Sequence, residues 1–201
     1  MTYQNMIILV SGLPRAGKSE FANNLENENI NYTHIPLDKY IMEIPDNLSF
    51  LEWVDNYNCI DWELLQKHIN DLNNGKECYC PKPDWSNKGK RINTNELKSF
   101  RKLLKPSKLG YVIPGCHSFK FSIKNERIIK IYIDTSYEII AERIVGSKLI
   151  NDNAEIIFEK YLSKNWRSIE KYKMDADLKI SGNVSSIIQL NSFNEFICKN
   201  V

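Results

Sequence analysis

Gly12-Leu13-Pro14-Arg15-Ala16-Gly17-Lys18-Ser19 separates the apolar run Met6–Val10 from a stretch in which Phe21, Ala22 and Leu25 recur at helical spacing. The order strand, glycine-rich turn, helix leaves few ways to fold. Glycines at both ends of the turn let the backbone curl so that successive N–H groups face one hollow. The positive end of the following helix closes that hollow, so the main chain makes an anion site before any side chain acts. Lys18 adds a cation for the outer phosphates of a nucleotide, and the Ser19 hydroxyl adds an oxygen donor for Mg²⁺. The pattern G-x-x-x-x-G-K-[ST] in this setting points to nucleotide phosphate binding through Gly12 to Ser19. A helix entry that binds nothing is the weaker alternative.

The rest of the composition narrows the class. A chain of 201 residues is expected to form one domain with a sizeable core. A net charge of +2 gives no electrostatic ground for a nucleic acid or an anionic membrane as partner. No apolar run is long enough to span a bilayer, and the first strand starts too early to leave room for a signal peptide. The five cysteines are odd in number and lack CxxC spacing, which suits free thiols in a reducing cytoplasm. Cys78 and Cys80 read as alternation in a short strand rather than as a metal pair.

Along the chain, a second strand over Tyr32–Pro36 ends at Leu37-Asp38-Lys39-Tyr40. In an open α/β sheet ligands sit beyond the carboxyl ends of the strands, which puts Asp38 on the rim of the phosphate loop; the competing reading is a helix N-cap. Residues 41–60 read as irregular. Asp61 opens a helix with Leu64, Leu65, His68, Ile69 and Leu72 at helical spacing, and Asn73-Asn74-Gly75 stops it. His68 is read as a helix-face residue. Pro81 and Pro83 restrict the next segment to an edge hairpin or loop. A helix is expected at Asn95–Leu104 and buried strands at Tyr111–Ile113 and Ile128–Asp134. Helices are expected at Tyr137–Val145 and over 154–172, a strand at Leu178–Ile180, and a last helix at Ser186–Cys198. Strands alternating with helices at these lengths predict a doubly wound, mainly parallel α/β sheet with helices on both faces.

Several of these segments together resemble the uridine kinase and phosphoribulokinase group of P-loop kinases, over most of the chain. Asp38-Lys39-Tyr40 is similar to that family's acceptor-activating aspartate and the aromatics behind it. Asp61–Leu65 through Lys76 resembles the helix leading to the substrate hairpin. Pro81-Lys82-Pro83-Asp84-Trp85 resembles the Pro-x-Tyr-Asp-aromatic run beside the acceptor, with Lys88 and Lys90 where a basic position follows. Lys130–Thr135 continuing to Arg143 resembles the fourth strand and the helix that feeds the lid. Three features depart from the family, the first being Ile41 where a tyrosine is common after the strand-two aspartate. Pro114-Gly115 stands where an acidic residue and glycine are usual, and residues 144–155 contain no arginine.

The resemblance implies a single P-loop kinase domain, with a substrate hairpin at about 76–93 and a short lid at about 144–155. It implies ATP and Mg²⁺ as cofactors, Ser19 on the metal, and Lys18 and Arg143 countering charge on the transferred phosphoryl group. Asp38 is then the base, and Tyr40, Asp84, Trp85 and Lys88 border the acceptor, a small molecule of nucleoside or nucleoside-like sugar type. A homo-oligomer is compatible with the sequence. A nucleoside monophosphate kinase would want several arginines around the acceptor phosphate. A catalytically weakened nucleotide-binding or regulatory protein would account for Pro114 and the arginine-poor lid.

Overall fold

Six buried residues, Met6–Ser11, form a strand (β1) that is dehydrated along its whole length, as a strand with neighbours on both edges and cover on both faces must be. The computed structural model describes residues 5–29, 31–92, 101–124, 126–146 and 163–200. In chain order β1 is followed by α1 (Lys18–Glu28), β2 (Tyr32–His34), α2 (Phe50–Val54) and α3 (Trp62–Asn73). Four two-residue strands come next: β3 (Cys78–Tyr79), β4 (Pro83–Asp84), β5 (Lys90–Arg91) and β6 (Leu103–Leu104). The chain then continues through β7 (Gly110–Pro114), β8 (Arg127–Asp134), α4 (Tyr137–Val145), α5 (Ser163–Glu170), β9 (Leu178–Ser181) and α6 (Ser186–Asn200).

The main sheet has the order β2-β7-β1-β8-β9, and every pairing in it is parallel. Its register sets Ile8 against Val112 on one side and Ile129 on the other. From β1 the chain winds first towards β2 and β7, then towards β8 and β9. That reversal makes β1 the switch point of a doubly wound P-loop fold. The carboxyl ends of β1, β2, β7 and β8 therefore open on one edge, where the glycine turn follows β1.

Packing follows the apolar pattern. Phe21 and Ala22 of α1 are fully buried, and Phe21 meets Phe193 of α6 edge to face at 6.0 Å, a contact worth about 0.5–1.5 kcal/mol beyond its area. Leu65, Ile69 and Leu72 form the buried stripe of α3, and Asp61 caps that helix by accepting from the Leu64 N–H at 2.9 Å.

Three expectations change. Leu103 and Leu104 are not the end of a helix but a strand antiparallel to β3; the Cys80 N–H donates to the Lys102 carbonyl, so pairing satisfies a backbone that a helix would otherwise have closed on itself. Residues 95–100 of that expected helix lie outside the described residues. The segment read as irregular holds α2 and one short 3₁₀ turn, Tyr57–Cys59, and another such turn, Leu37–Tyr40, lies just before it. The long helix expected at 154–172 is described only from Ser163, as α5 and a 3₁₀ turn at Lys171–Met174. The lid expected at 144–155 lies outside the described residues from 147 onward.

Candidate active site

The phosphate loop takes its shape from residues that tolerate positive φ. Gly12 sits at φ 148°, Gly17 at 102° and Arg15 at 63°. A Cβ on Gly12 would lie 2.6 Å from the Ile133 carbonyl oxygen, so the loop passes too close to β8 for any side chain there. The loop is fixed from outside by side chains. The Thr135 hydroxyl donates to the Ala16 carbonyl at 2.8 Å. Arg143 spans two segments, donating from Nη1 to the Arg15 carbonyl and from Nη2 to the Gly182 carbonyl, each at 3.0 Å. Lys18 is largely buried, and its Nζ donates to the Leu13 carbonyl at 2.6 Å, inside the curl of the loop. A surface hollow bordered by Arg15, Gly17, Lys18, Ser19 and Arg143 adjoins this turn. With the N-terminus of α1 behind it, the hollow suits a polyphosphate.

On the other side of Lys18 and Ser19 lies a cavity of about 300 Å³. Leu13 and Pro14 form the phosphate-loop wall. Leu37, Asp38 and Ile41 come from the turn after β2; Phe50, Val54 and Asp55 come from α2 and the residue after it. Pro114 to His117, at the end of β7, close the back, and Ile169 of α5 completes the lining. The phosphate loop and a partly open, mostly apolar chamber thus share Lys18 and Ser19.

Asp38 stands at the edge of this chamber with its side chain 67% exposed and, among the described residues, a single ion contact, Lys39 Nζ at 3.9 Å. The 3₁₀ turn that contains it is entered at Pro36 and has no side-chain cap. Asp38 is therefore not an N-cap. His117 is held by its Nε2, which donates to the Val54 carbonyl at 3.1 Å. Because a carbonyl only accepts, the proton is on Nε2 and Nδ1 carries a lone pair. Burial pushes the His117 pKa below its ordinary value despite that hydrogen bond, so the ring is neutral at pH 7.

The other residues expected at the acceptor lie elsewhere. Tyr40 is fully buried, with its hydroxyl 2.7 Å from His68 Nδ1, and forms no part of the described lining. Asp84 accepts from the Ser86 N–H at 3.1 Å and the Ser86 hydroxyl at 2.6 Å, closing the turn after β4. Lys88 pairs with Asp46 at 2.5 Å on the surface. Trp85 is connected indirectly, its ring edge to face with Phe50 at 5.5 Å, and Phe50 lines the chamber. Sequence alone singles out neither His117 nor Asp55. For His117 the signal was present, since it follows the carboxyl end of β7; for Asp55 it was not, because α2 has too few turns to show a period.

Hard oxygen donors would suit Mg²⁺ here. The Ser19 hydroxyl stands at the start of α1, and Asp38 lines the same chamber. No cluster of three His, Cys, Asp or Glu side chains fit for a metal occurs among the described residues. That arrangement fits an ion held chiefly by phosphates and water, as Mg²⁺ commonly is.

The sequence matches the AAA domain family over residues 8–160. A uridine kinase from Halobacterium salinarum is 25% identical over 199 residues, covering 93% of this chain and 84% of that protein. Among solved structures, a candidate fructose transport system kinase from Silicibacter sp. TM1040 superposes with a TM-score of 0.62 at 17% identity, covering 89% of this chain and 90% of that one. A candidate uridine kinase from Bacillus stearothermophilus gives 0.55 at 16% identity, with 90% of each chain covered. Shikimate kinase from Aquifex aeolicus gives 0.50 at 14% identity, over 97% of this chain and 98% of that one. At these identities the solved structures speak for the fold, a P-loop fold of kinase type. The chain belongs to the AAA domain family of P-loop proteins and is a divergent, uridine kinase-like member of it.

Proposed function

We propose that the protein is an ATP-dependent kinase that phosphorylates a hydroxyl group of a small molecule. The observation that carries this reading is the meeting of the phosphate loop, at Lys18 and Ser19, with a partly open chamber that has a carboxylate, Asp38, at its edge. Phosphoryl transfer needs alignment and charge neutralisation more than covalent help from the protein. The backbone of Gly12 to Ser19 holds the donor's phosphates, and Lys18 exchanges its bond to the Leu13 carbonyl for phosphate oxygens. Ser19 would hold Mg²⁺, which supplies positive charge to the transferred group. Asp38 orients the acceptor hydroxyl and takes its proton as the acceptor oxygen bonds to the γ-phosphorus and the bond to the ADP oxygen breaks. Arg143 acts by holding the loop to the turn after β9, in place of the direct γ-phosphate contact its position in the sequence suggests.

Free thiols at every described cysteine accord with work in a reducing cytoplasm. No described helix is long and apolar enough to cross a membrane. One observation favours a second reading, a nucleotide-binding protein weak in catalysis: β7 ends in Pro114 without the carboxylate usual there. Calorimetric titration with Mg-ATP, followed by assay of ADP release against a panel of small alcohols, separates the two. Binding with acceptor-dependent ADP release is the expected result. Tight binding without release for any acceptor selects the second reading, and no binding at all overturns both.

A further inference from the structure

We propose that His117 is a specificity-determining residue of the chamber: its Nδ1 accepts a hydrogen bond from an N–H group of the acceptor molecule. The class this selects is an alcohol that also carries a ring lactam or imide N–H, as a uracil ring does. A ring with a bare or alkylated nitrogen at that place is rejected. The inference deepens the kinase reading and rests on it for the chemical step alone; the binding it describes stands separately.

The first argument is the placing of the ring. His117 lies in the turn after β7, which two bonds pin to β1. The Gly115 N–H donates to the Val10 carbonyl at 3.0 Å, and the Ser11 hydroxyl donates to the Cys116 carbonyl at 2.8 Å. The ring then reaches α2, where Nε2 donates to the Val54 carbonyl at 3.1 Å. That bond fixes the proton on Nε2 and leaves Nδ1 as an acceptor. Among the described residues Nδ1 has no hydrogen-bond partner, yet it is not one of the buried unpartnered atoms, which are His34 Nε2, the Ser118 hydroxyl oxygen and Glu126 Oε2. It therefore reaches open space, and the space that His117 borders is the chamber. A tie between β7 and α2 uses one ring nitrogen; the other is available to a ligand.

The second argument is the chemistry of that atom. Burial, and after it the charges of Lys120 and Lys18, hold the ring's pKa below its ordinary value against the opposite pull of the Val54 carbonyl, so Nδ1 keeps its lone pair at pH 7. An N–H brought to it gains a hydrogen bond, whereas a second lone pair is repelled and leaves two acceptors without a donor. The lone pair lies in the plane of the imidazole, and the N–H of a lactam lies in the plane of its own ring. Phe50, Val54 and Ile169 line the same chamber, and Phe50 is set edge to face against Trp85 at 5.5 Å. A flat heterocycle packs well among such side chains. The hydroxyl that reacts belongs to the other end of the chamber, by Lys18 and Asp38. Its oxygen bonds to the γ-phosphorus of ATP, the bond to the ADP oxygen breaks, and the proton passes to Asp38.

The experiment measures binding and turnover separately on the full chain with Mg-ATP. The probes are uridine, cytidine and 3-methyluridine, which share their sugar hydroxyls and differ at one ring nitrogen: an N–H, a lone pair and a methyl group. Ligand-observed NMR reads affinity, coupled ADP release reads transfer, and ¹⁵N-histidine labelling reads the ring of His117 itself. Uridine is expected to bind at least about tenfold more tightly than the other two. The Nδ1 resonance of His117 should move on addition of uridine and stay in place with 3-methyluridine. His117→Gln can still donate to the Val54 carbonyl but has no acceptor at the place of Nδ1, so it should bring the three affinities within about threefold and leave Mg-ATP affinity unchanged. His117→Asn keeps an acceptor near that place and should retain part of the preference for uridine. Failure of uridine to bind, equal binding of the three, or an Nδ1 resonance indifferent to bound uridine overturns the role of His117. ADP release with all three probes alike overturns it too and leaves the kinase reading standing. Selective binding of uridine that moves Nδ1 without any ADP release upholds the role of His117 and counts against the kinase reading.

Discussion

Lys18 and Asp38 border the same chamber yet are built differently, and their variants should part accordingly. Lys18 is largely buried, and among the described residues its Nζ bonds only to a carbonyl of its own loop. Lys18→Ala should abolish or severely weaken transfer and weaken Mg-ATP binding while the melting temperature stays close to wild type; a collapse of the fold would assign Lys18 to structure. Asp38 does not cap its own 3₁₀ turn and has one weak ion contact among the described residues. Asp38→Asn should therefore change stability by less than about 0.5 kcal/mol. It should lower transfer by roughly 10²-fold or more, with nucleotide affinity retained. A variant that transfers at the wild-type rate removes Asp38 from the mechanism. Legibility differs from residue to residue on the same physical ground. The phosphate loop is local in sequence and stands out at once. Tyr40 and His68 sit 28 residues apart, and their buried hydrogen bond has no signature in either neighbourhood. Tyr40 therefore looked like a wall of the chamber.

At the scale of elements, the hold that Arg143 keeps on the phosphate loop joins α4, the loop and the turn after β9. Removing both of its charge-assisted bonds with Arg143→Ala should cost roughly 1–2 kcal/mol and weaken nucleotide binding as well. The measurement is a urea titration beside Mg-ATP affinity; lost rate with both quantities unchanged would restore a direct contact with the transferred phosphoryl group. Gly182 tests the same junction from the other side. A Cβ there would collide with the Thr135 hydroxyl and lie 2.7 Å from the Ala16 carbonyl, backbone of the phosphate loop itself. Gly182→Ala should weaken Mg-ATP binding with the secondary structure intact, and unchanged affinity would show that the loop gives way freely. The sheet was legible because β1 and β7 are apolar runs bounded by turn residues and β8 is apolar apart from Lys130 and its ends. The strand β6 was not, because two leucines carry no period and their partner, β3, lies across a chain reversal. The hairpin of β4 and β5 was legible as an edge from its prolines, but its position against Phe50 is a tertiary fact that no local pattern encodes.

For the molecule as a whole, all three histidines are buried and all have pKa values pushed down by burial. His34 is the extreme case, held at about 3 against an ordinary 6.5 by burial and then by Lys102. Its Nδ1 is 2.7 Å from the Asn23 side-chain oxygen, and Nε2 is buried without a hydrogen-bond partner among the described residues. As pH falls below 6.5 the unfolded chain takes up protons that the folded one refuses. Stability is thus complete above that value and declines towards acid, by up to about 1.4 kcal/mol per pH unit for each such histidine. Urea midpoints should fall between pH 6.5 and 5, and His34→Gln should flatten the slope; a flat wild-type profile would contradict the burial of these rings. The thiols have a practical consequence of a different kind. Cys116 is half-buried and lines the chamber, whereas Cys59 beside it is buried with its thiol pushed up to about 12, which leaves it a poor nucleophile. A small alkylating reagent would accordingly label Cys116 ahead of Cys59, and any molecule filling the chamber would slow that labelling. The protein thereby carries its own occupancy reporter, read by mass spectrometry without knowledge of what the ligand is.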